Sequence, residues 1–395
     1  MKFLLVAYGS RGDVEPCASV GQELQRRGHD VQIALPPNMI GFAESAGLAA
    51  VSYGSDSREN MNPAVDLVRD LAPGIQNPVA MLPRLLEHVS QTKSEKTAAL
   101  TTLAKGTDAI LAGFNEQGVA ANVAEYHGIP VVGLHYFPAR VYSSWGLFSS
   151  ITKQAEDAQR LELGLSGDTG AQEFPEIQAY DELCLPGPAA EWVEPGGQRP
   201  FVGALTLDQP VGTDDDVLSW IASGTPPIYF GFGSTPLPSP AETIAVLSAA
   251  CARLGERGVF CSGPNDVADA PDFDNLKVVS AVNHAAILPA CRAAVLHGGA
   301  GTTAAALRAG IPMLIMWFWL DQPVWAAGIE RLKVGTAREF AVSTLDSLTA
   351  DLRLVLTPEY AERAREVAAQ MTKPAQSITV TADLMEEAAR EGRRV

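Results

Sequence analysis

Apolar and polar positions follow one another in blocks along this chain. Residues 3–8 form an apolar run that stops at Gly9, and over about 16–27 the apolar residues recur at helical spacing. Gly28 closes that stretch, and residues 30–35 are apolar again. The alternation continues with runs at 49–53 and 108–113, a helical stretch at 119–127, and another run at 129–134. Short, continuously apolar strands separated by helices predict a parallel sheet covered on both faces.

Residues 206–216 (TLDQPVGTDDD) break this rhythm with Pro, Gly and acids and read as an interdomain linker. Beyond it the pattern restarts, with expected strands at 227–232, 259–261, 276–279, 293–296 and, last, 313–317. Helices are expected over 241–254, from about 321, and over 358–394 with an interruption at Pro374. Residues 79–105 and 138–175 are less regular and read as a variable surface. The expected fold is α/β, two Rossmann-like domains facing across a cleft. Their limits are 1–205 and 217–376 around the linker 206–216, with 377–395 a C-terminal helix packing back on the first domain.

Composition narrows the chemistry. At 395 residues, the chain suits two α/β domains. Forty-six acidic against 29 basic residues give a formal charge of −17, a field that opposes nucleic acid. Cys17, Cys184, Cys251, Cys261 and Cys291 are scattered without metal-ligand spacing, so reduced thiols are expected and structural zinc is not. The N-terminal apolar run is too short for a signal peptide or span, which places the expected protein in the cytoplasm, with contact at the inner face of a membrane left open.

In so acidic a chain, a phosphate needs a local grip, and His297-Gly298-Gly299-Ala300-Gly301-Thr302-Thr303 offers one. A strand delivers glycines, which let backbone approach a phosphate, into the N-terminus of a helix with open N–H groups. Taken alone, such a turn is as well explained by ordinary strand-to-helix packing. No Lys follows, so it is not a Walker loop. Three other strand ends add weight. Ser234 and Thr235 offer hydroxyls to a diphosphate, Val282-Asn283-His284 offer backbone to a base, and Asp321-Gln322 offer a carboxylate and amide to sugar hydroxyls. Asp214 to Asp216 read as a helix N-terminus rather than a metal motif, and no metal or cofactor is expected.

The segment 297–303, followed by Gly310-Ile311-Pro312 and Asp321-Gln322, resembles the donor signature of family 1 glycosyltransferases of the GT-B fold. Gly9-Ser10-Arg11-Gly12-Asp13-Val14-Glu15-Pro16 resembles the start of their bacterial glycopeptide and sterol branch. Over most of the chain, the likeness extends to mycobacterial enzymes that glycosylate glycopeptidolipids; residues 177–181 and 371–375 belong to it. The resemblance implies inverting, metal-independent transfer of a hexose or deoxyhexose from a dTDP- or UDP-sugar, held by the second domain. The acceptor, bound by the first, would be a hydroxyl of a lipopeptide, glycolipid or other natural product.

It also implies Asp13 as the base that takes the acceptor's proton, although the same residue at a helix start serves equally well as a cap. A helix N-terminus stabilises a carboxylate and so weakens it as a base. Ser10 and Gly12 are expected to shape the donor loop, with Ser10 near the phosphates, and His297 to donate to a phosphate oxygen. Arg11 reads as a solvated charge, the alternative being a donor to the diphosphate, and Trp317 and Trp319 as core or sugar-pocket walls. His135 is a candidate acceptor contact and equally a core histidine. Two rivals are weighed: a nucleotide-sugar 2-epimerase on the same fold, and a catalytically idle nucleotide-sugar-binding partner protein. Acceptor identity and oligomeric state are not legible.

Overall fold

The computed structural model describes residues 1–58, 82–138, 146–167, 174–185, 199–319 and 321–393, with side chains from 91 and 153 onward in the two helices that begin at 82 and 146. It contains two six-stranded parallel sheets. The first comprises β1 (Lys2–Val6), β2 (Asp30–Leu35), β3 (Ala49–Ser52), β4 (Ala109–Gly113), β5 (Val131–His135) and β6 (Glu176–Gln178), ordered β3-β2-β1-β4-β5-β6. The second comprises β7 (Ile228–Gly231), β8 (Gly258–Cys261), β9 (Leu276–Val279), β10 (Ala293–Leu296), β11 (Met313–Trp317) and β12 (Gly335–Glu339), ordered β12-β11-β10-β7-β8-β9. Counted from its own first strand, each sheet has the doubly wound order 3-2-1-4-5-6. Each therefore reverses winding between its first and fourth strands, where ligands bind in such sheets.

The period-2 geometry of β1 explains its apolar run. Phe3 and Leu5 face helix Arg11–Arg26 and the C-terminal helix Pro374–Gly392, packing with Val14, Cys17, Met385 and Ala389. Leu4 and Val6 face the opposite way, against Leu100 of helix Leu82–Leu103 and Val119 and Val123 of helix Gln117–His127. In the second sheet, Ile228, Phe230 and Val295 pack on Ile244 and Leu247 of helix Pro240–Leu254 and on Leu348 and Leu352 of helix Leu345–Val355.

The chain divides into two compact units, Met1–Ala179 with Gly187–Leu207 and Pro374–Val395, and Tyr180–Pro186 with Asp208–Lys373. The boundaries differ from the expected ones because packing, not order along the chain, decides membership. Residues 180–185 leave the first unit after β6: Arg331 donates to the Cys184 carbonyl at 2.7 Å, and Asp181 accepts the Thr372 N–H at 2.7 Å. The C-terminal helix returns the exchange. Arg27 donates to Asp383 at 2.6 Å and Glu386 at 3.2 Å, and His29 lies 2.9 Å from Glu386. Its hydrogen bond with His29, then those with Arg27 and Arg390, hold the Glu386 carboxyl down to about 2.

Four further expectations are corrected. β12 follows β11, so 313–317 is not the last strand; its Gly-Thr-Ala-Arg-Glu sequence carries no apolar run. Helices Leu82–Leu103 and Gly146–Glu162 occupy stretches read as irregular, while 79–81, 139–145 and 168–173 lie outside the described residues. The first helix starts at Arg11 rather than 16, because a capping box formed by Ser10 and Asp13 precedes Pro16. The expected linker stops short of 214, because Asp214 to Asp216 form the first turn of helix Asp214–Ala222, the helix N-terminus read from the sequence.

Candidate functional site

Each unit carries one candidate half-site at its switch point. In the second unit, Gly231, Leu296 and Ile315 lie level in register, so the loops leaving β7, β10 and β11 rise side by side. After β10, Gly298 takes φ +90°; a Cβ there would stand 2.9 Å from Ile315 Cγ2 and 3.1 Å from the Gln322 carbonyl. Gly233 takes φ +60°, and its Cβ would stand 2.7 Å from His297 Cε1, while a Cβ on Gly299 would overlap His297 Nε2. The imidazole is thus wedged between two backbone segments that tolerate no side chain. Burial pushes His297 down to about 4, with the Gly231 carbonyl pulling the other way, so the ring is neutral at neutral pH. That carbonyl lies near enough to favour the proton without meeting hydrogen-bond geometry, and Nδ1 is buried without a hydrogen-bond partner among the described residues.

Helix Ala300–Ala309 begins here with Gly299 as N-cap and no side-chain cap. Its first-turn N–H groups and dipole are left to something outside the helix. Ala300 and Thr302 are half-buried and Gly301 is exposed, whereas Thr303 is fully buried. Ser234 is half-buried in the loop after β7, and Thr235 is buried with its carbonyl held by Asn265 Nδ2 at 3.2 Å. Asn265 also accepts the Leu237 N–H at 2.8 Å, so it fixes this loop from the β8 side. After β11, Asp321 occupies the N-cap position of helix Gln322–Leu332 without a side-chain cap hydrogen bond. The Gln322 amide oxygen accepts the N–H groups of Phe318 at 2.7 Å and Trp319 at 3.3 Å, which leaves its NH2 as the group for a ligand. Trp317 and Trp319 are half-buried, and Phe318 stacks on Phe340 at 4.3 Å.

The loop after β9 is held next to these. Tyr229 of β7 reaches His284 Nε2 at 2.9 Å, and helix His284–Ile287 packs against the glycine-loop helix. Asn283 was expected to contact a ligand, but its side chain is committed within the unit. It donates to Asp208 at 2.7 Å and accepts the Ala285 N–H at 3.1 Å, while its own N–H meets Asp214 at 2.9 Å. Val282, its side chain buried, has neither N–H nor C=O in a hydrogen bond among the described residues.

In the first unit, the chain leaves β1 through Gly9, whose φ is +143° and whose Cβ would overlap the Asp13 carboxylate. Asp13 Oδ2 accepts the Ser10 N–H at 2.7 Å and the Ser10 hydroxyl at 3.1 Å, and Oδ1 accepts the Tyr136 hydroxyl at 3.0 Å. Asn115 Nδ2 stands 3.4 Å from Oδ1. Burial raises the Asp13 carboxyl above its ordinary value, outweighing the hydrogen bonds from Ser10 and Tyr136 that lower it. Ser10, expected near phosphate, turns its N–H and hydroxyl to Asp13, and Gly12 sits in the same turn. Arg11 is not a free charge: it pairs with Glu15 at 2.7 Å and stacks over Phe42 at 5.0 Å. His135 is 3% exposed, between Gln117 at 3.2 Å and Glu176 at 3.6 Å, so its ring is core rather than open to an acceptor.

Tyr136, Asn115 and Asn265 went unnoticed in the sequence. The available signal was position: Asn115 and Tyr136 each lie two residues past level positions on β4, which pairs with β1, and on β5, the next strand out.

Comparison with known proteins places this geometry. Residues 3–115 match the glycosyltransferase family 28 N-terminal domain, and residues 261–386 match the erythromycin biosynthesis protein CIII-like C-terminal domain. An uncharacterised glycosyltransferase of Mycobacterium tuberculosis is 53% identical over the full length of both chains. The vancomycin aglycone glucosyltransferase of Amycolatopsis orientalis is 29% identical over 93% of each chain. The chain therefore belongs to the glycosyltransferase family. Its fold matches GT-B glycosyltransferases. The spinosyn rhamnosyltransferase SpnG has a TM-score of 0.73 at 20% identity, covering 97% of this chain and all of its own. VinC, solved in complex with dTDP, has 0.69 at 22% identity, covering 99% and 100%. No described helix is long and apolar enough to cross a membrane.

Proposed function

We propose that this glycosyltransferase transfers a hexose or deoxyhexose from a dTDP- or UDP-sugar, with inversion, to a hydroxyl of a lipopeptide, glycolipid or related natural product. The observation that carries the reading is that one unit has an uncapped glycine-loop helix and the other a half-buried, hydrogen-bonded carboxylate at the corresponding strand end. The donor's diphosphate lies on the N–H groups of residues 300–302, with Ser234, Thr235, Thr302 and His297 supplying further donors. These groups stabilise the charge that develops on the leaving nucleoside diphosphate, with no metal required. Being neutral, His297 acts as a hydrogen-bond donor and not as a cation. The open backbone of Val282 takes the base edge, with Asn283 fixing that loop, and Asp321 and the Gln322 NH2 read sugar hydroxyls.

Asp13 takes the acceptor's proton as its oxygen attacks the anomeric carbon. Burial raises its proton affinity against the hydrogen bonds that lower it, which supports the role of base. Ser10, Gly12 and Gly9 set its position. Support for the donor comes from the dTDP held by VinC, and for the acceptor from the aglycone complex of SpnG and the vancomycin aglycone and sterol relatives. The expected site of action is the cytoplasm or its membrane face. The test is calorimetric titration of UDP and dTDP, followed by mass spectrometry of products from dTDP- and UDP-sugars with lipopeptide acceptors. Tight nucleotide binding with a glycosylated product is expected. Nucleotide binding with conversion of the sugar in the absence of any acceptor would instead indicate the epimerase.

A further inference from the structure

The two oxygens of Asp13 are not held alike. Oδ2 is filled by two donors from one residue, the Ser10 N–H at 2.7 Å and hydroxyl at 3.1 Å. Oδ1 has one good donor, the Tyr136 hydroxyl at 3.0 Å, and one long contact at 3.4 Å from Asn115, an exposed residue. A carboxylate oxygen has two lone-pair directions; among the described residues Oδ2 fills both with short donors, whereas Oδ1 fills one and gives the other only the 3.4 Å Asn115 contact, which a better donor can replace. Tyr136 is 8% exposed and follows β5 directly, so its hydroxyl is placed by the sheet and not by a side chain free to turn away.

We infer that Oδ1 of Asp13 is the oxygen that receives the acceptor's proton, and that Tyr136 is the positioning residue that aims it. The inference rests on the reading of Asp13 as base. In the step, the acceptor O–H bond breaks with its proton passing to Oδ1. The acceptor oxygen bonds to the anomeric carbon, whose bond to the diphosphate oxygen breaks with its electron pair leaving on the diphosphate. The acceptor hydroxyl takes the lone-pair direction that the long Asn115 contact marks, while that amide keeps its 3.1 Å bond to the Tyr8 carbonyl. Tyr136 stays hydrogen-bonded to the same oxygen throughout.

The surroundings leave Tyr136 as the adjustable neighbour. On Asp13's own helix, Cys17 is a neutral thiol pushed up to about 12 by burial and by Asp13 itself, and Arg11 is paired with Glu15. On the β4 side, Glu116 is buried in an ion pair with Lys96 at 2.7 Å and accepts the Tyr53 hydroxyl at 2.6 Å. The Lys96 ammonium stands 3.3 Å over the Tyr8 ring, so the turn that carries Asn115 is locked from beneath.

The experiment follows Asp13 directly, because the acceptor is unidentified. Protein labelled with carbon-13 at aspartate carboxyls is titrated by NMR, with Asp13→Asn identifying the resonance. Tyr136→Phe removes a donor to the charged form and should raise the Asp13 midpoint by about half to one pH unit. Fluorotyrosine at position 136, a more acidic phenol of nearly the same shape, should lower it and also serves if the Phe variant folds poorly. A Tyr136→Phe midpoint that stays or falls, or a fluorotyrosine midpoint that stays or rises, overturns the positioning role. A separate arm measures hydrolysis of dTDP-glucose and UDP-glucose. Loss of hydrolysis in Asp13→Asn supports the base. Wild-type hydrolysis in that variant overturns the base, and with it the proton-receiving role of Oδ1, while leaving the titration to decide the Tyr136 contact by itself.

Discussion

The two units share one strand order and place their candidate chemistry at the same switch point, yet they fill it in opposite ways. Both helices that begin there present positive N-termini. In the first unit, that end holds the protein's own anion: Asp13, three residues past the N-cap Ser10, completes a capping box. In the second unit, the same place carries Gly299, Ala300, Gly301 and Thr302, with no side-chain cap and no acid in the first turn. One helix end is satisfied from within by a carboxylate, the proposed base; the other has no side-chain cap and is the proposed phosphate site. The lesson is that the fold supplies a polarised position, and a single residue at the third helical place decides whether it keeps a carboxylate or accepts an anion.

The largest effect should come from removing the built-in carboxylate. Asp13→Asn is expected to cut transfer by about 10²–10⁴-fold while nucleotide affinity measured by calorimetry stays near wild type. Turnover at the wild-type rate would take the base away from Asp13. Next is the glycine beneath it. Gly9→Ala combines a strained φ of +143° with overlap on the carboxylate, so turnover should fall on the order of 10²-fold with the nucleotide half intact. Equal loss of nucleotide affinity would mean the two half-sites are not separable.

The comparison can also be broken from the other side. Thr302→Asp puts a carboxylate at the third helical position of the open helix, copying the first unit. The added charge should cost a diphosphate about 1–4 kcal/mol, roughly fivefold or more in Kd, while the melting temperature holds or rises. Undiminished affinity would remove the helix N-terminus as the phosphate site. A smaller loss, roughly 2- to 10-fold, is expected for nucleotide binding to His297→Ala, a neutral hydrogen bond. Because burial holds His297 at about 4, wild-type affinity should show no histidine titration between pH 5.5 and 8, once the nucleotide's own phosphate ionisation is allowed for. A strengthening near pH 6.5 would show instead that the ring binds as a cation.

The smallest effect concerns the helix exchanged into the first unit. Glu386 has a folded-state carboxyl depressed to about 2, so its contribution is present above its ordinary range and is lost as pH falls toward 2. Glu386→Gln should lower the melting temperature at pH 7, with the gap to wild type closing in acid. A gap unchanged at low pH would assign the effect to packing instead.

Much of this was legible in one dimension. Apolar runs of strand length and glycines at helix ends marked ten of the twelve strands, because strands buried on both faces must be apolar throughout. β6 and β12 escaped because Glu-Ile-Gln and Gly-Thr-Ala-Arg-Glu stand at the ends of their sheets and carry too few apolar residues to read as strands, β6 being buried nonetheless and β12 mostly half-exposed. The glycine loop and its partners were readable because each follows an apolar run directly, and a residue at the end of a parallel strand has nowhere to go but the rim. Asp13 was readable as an acid at a helix start, although its two roles, cap and base, were not distinguishable.

Tertiary structure alone decided what surrounds these residues. That Asn283 and His135 are spent inside the protein, that Ser10 serves Asp13, and that burial outweighs hydrogen bonding at Asp13 all depend on partners far away in sequence. Tyr136 meets Asp13 across 123 positions of chain, and Asp208 meets Asn283 across 75. Local sequence dictates where a strand ends and which backbone conformations it permits. The protonation energy of a carboxylate is a sum over everything packed around it, and that sum exists only once the sheet has brought β1, β4 and β5 side by side.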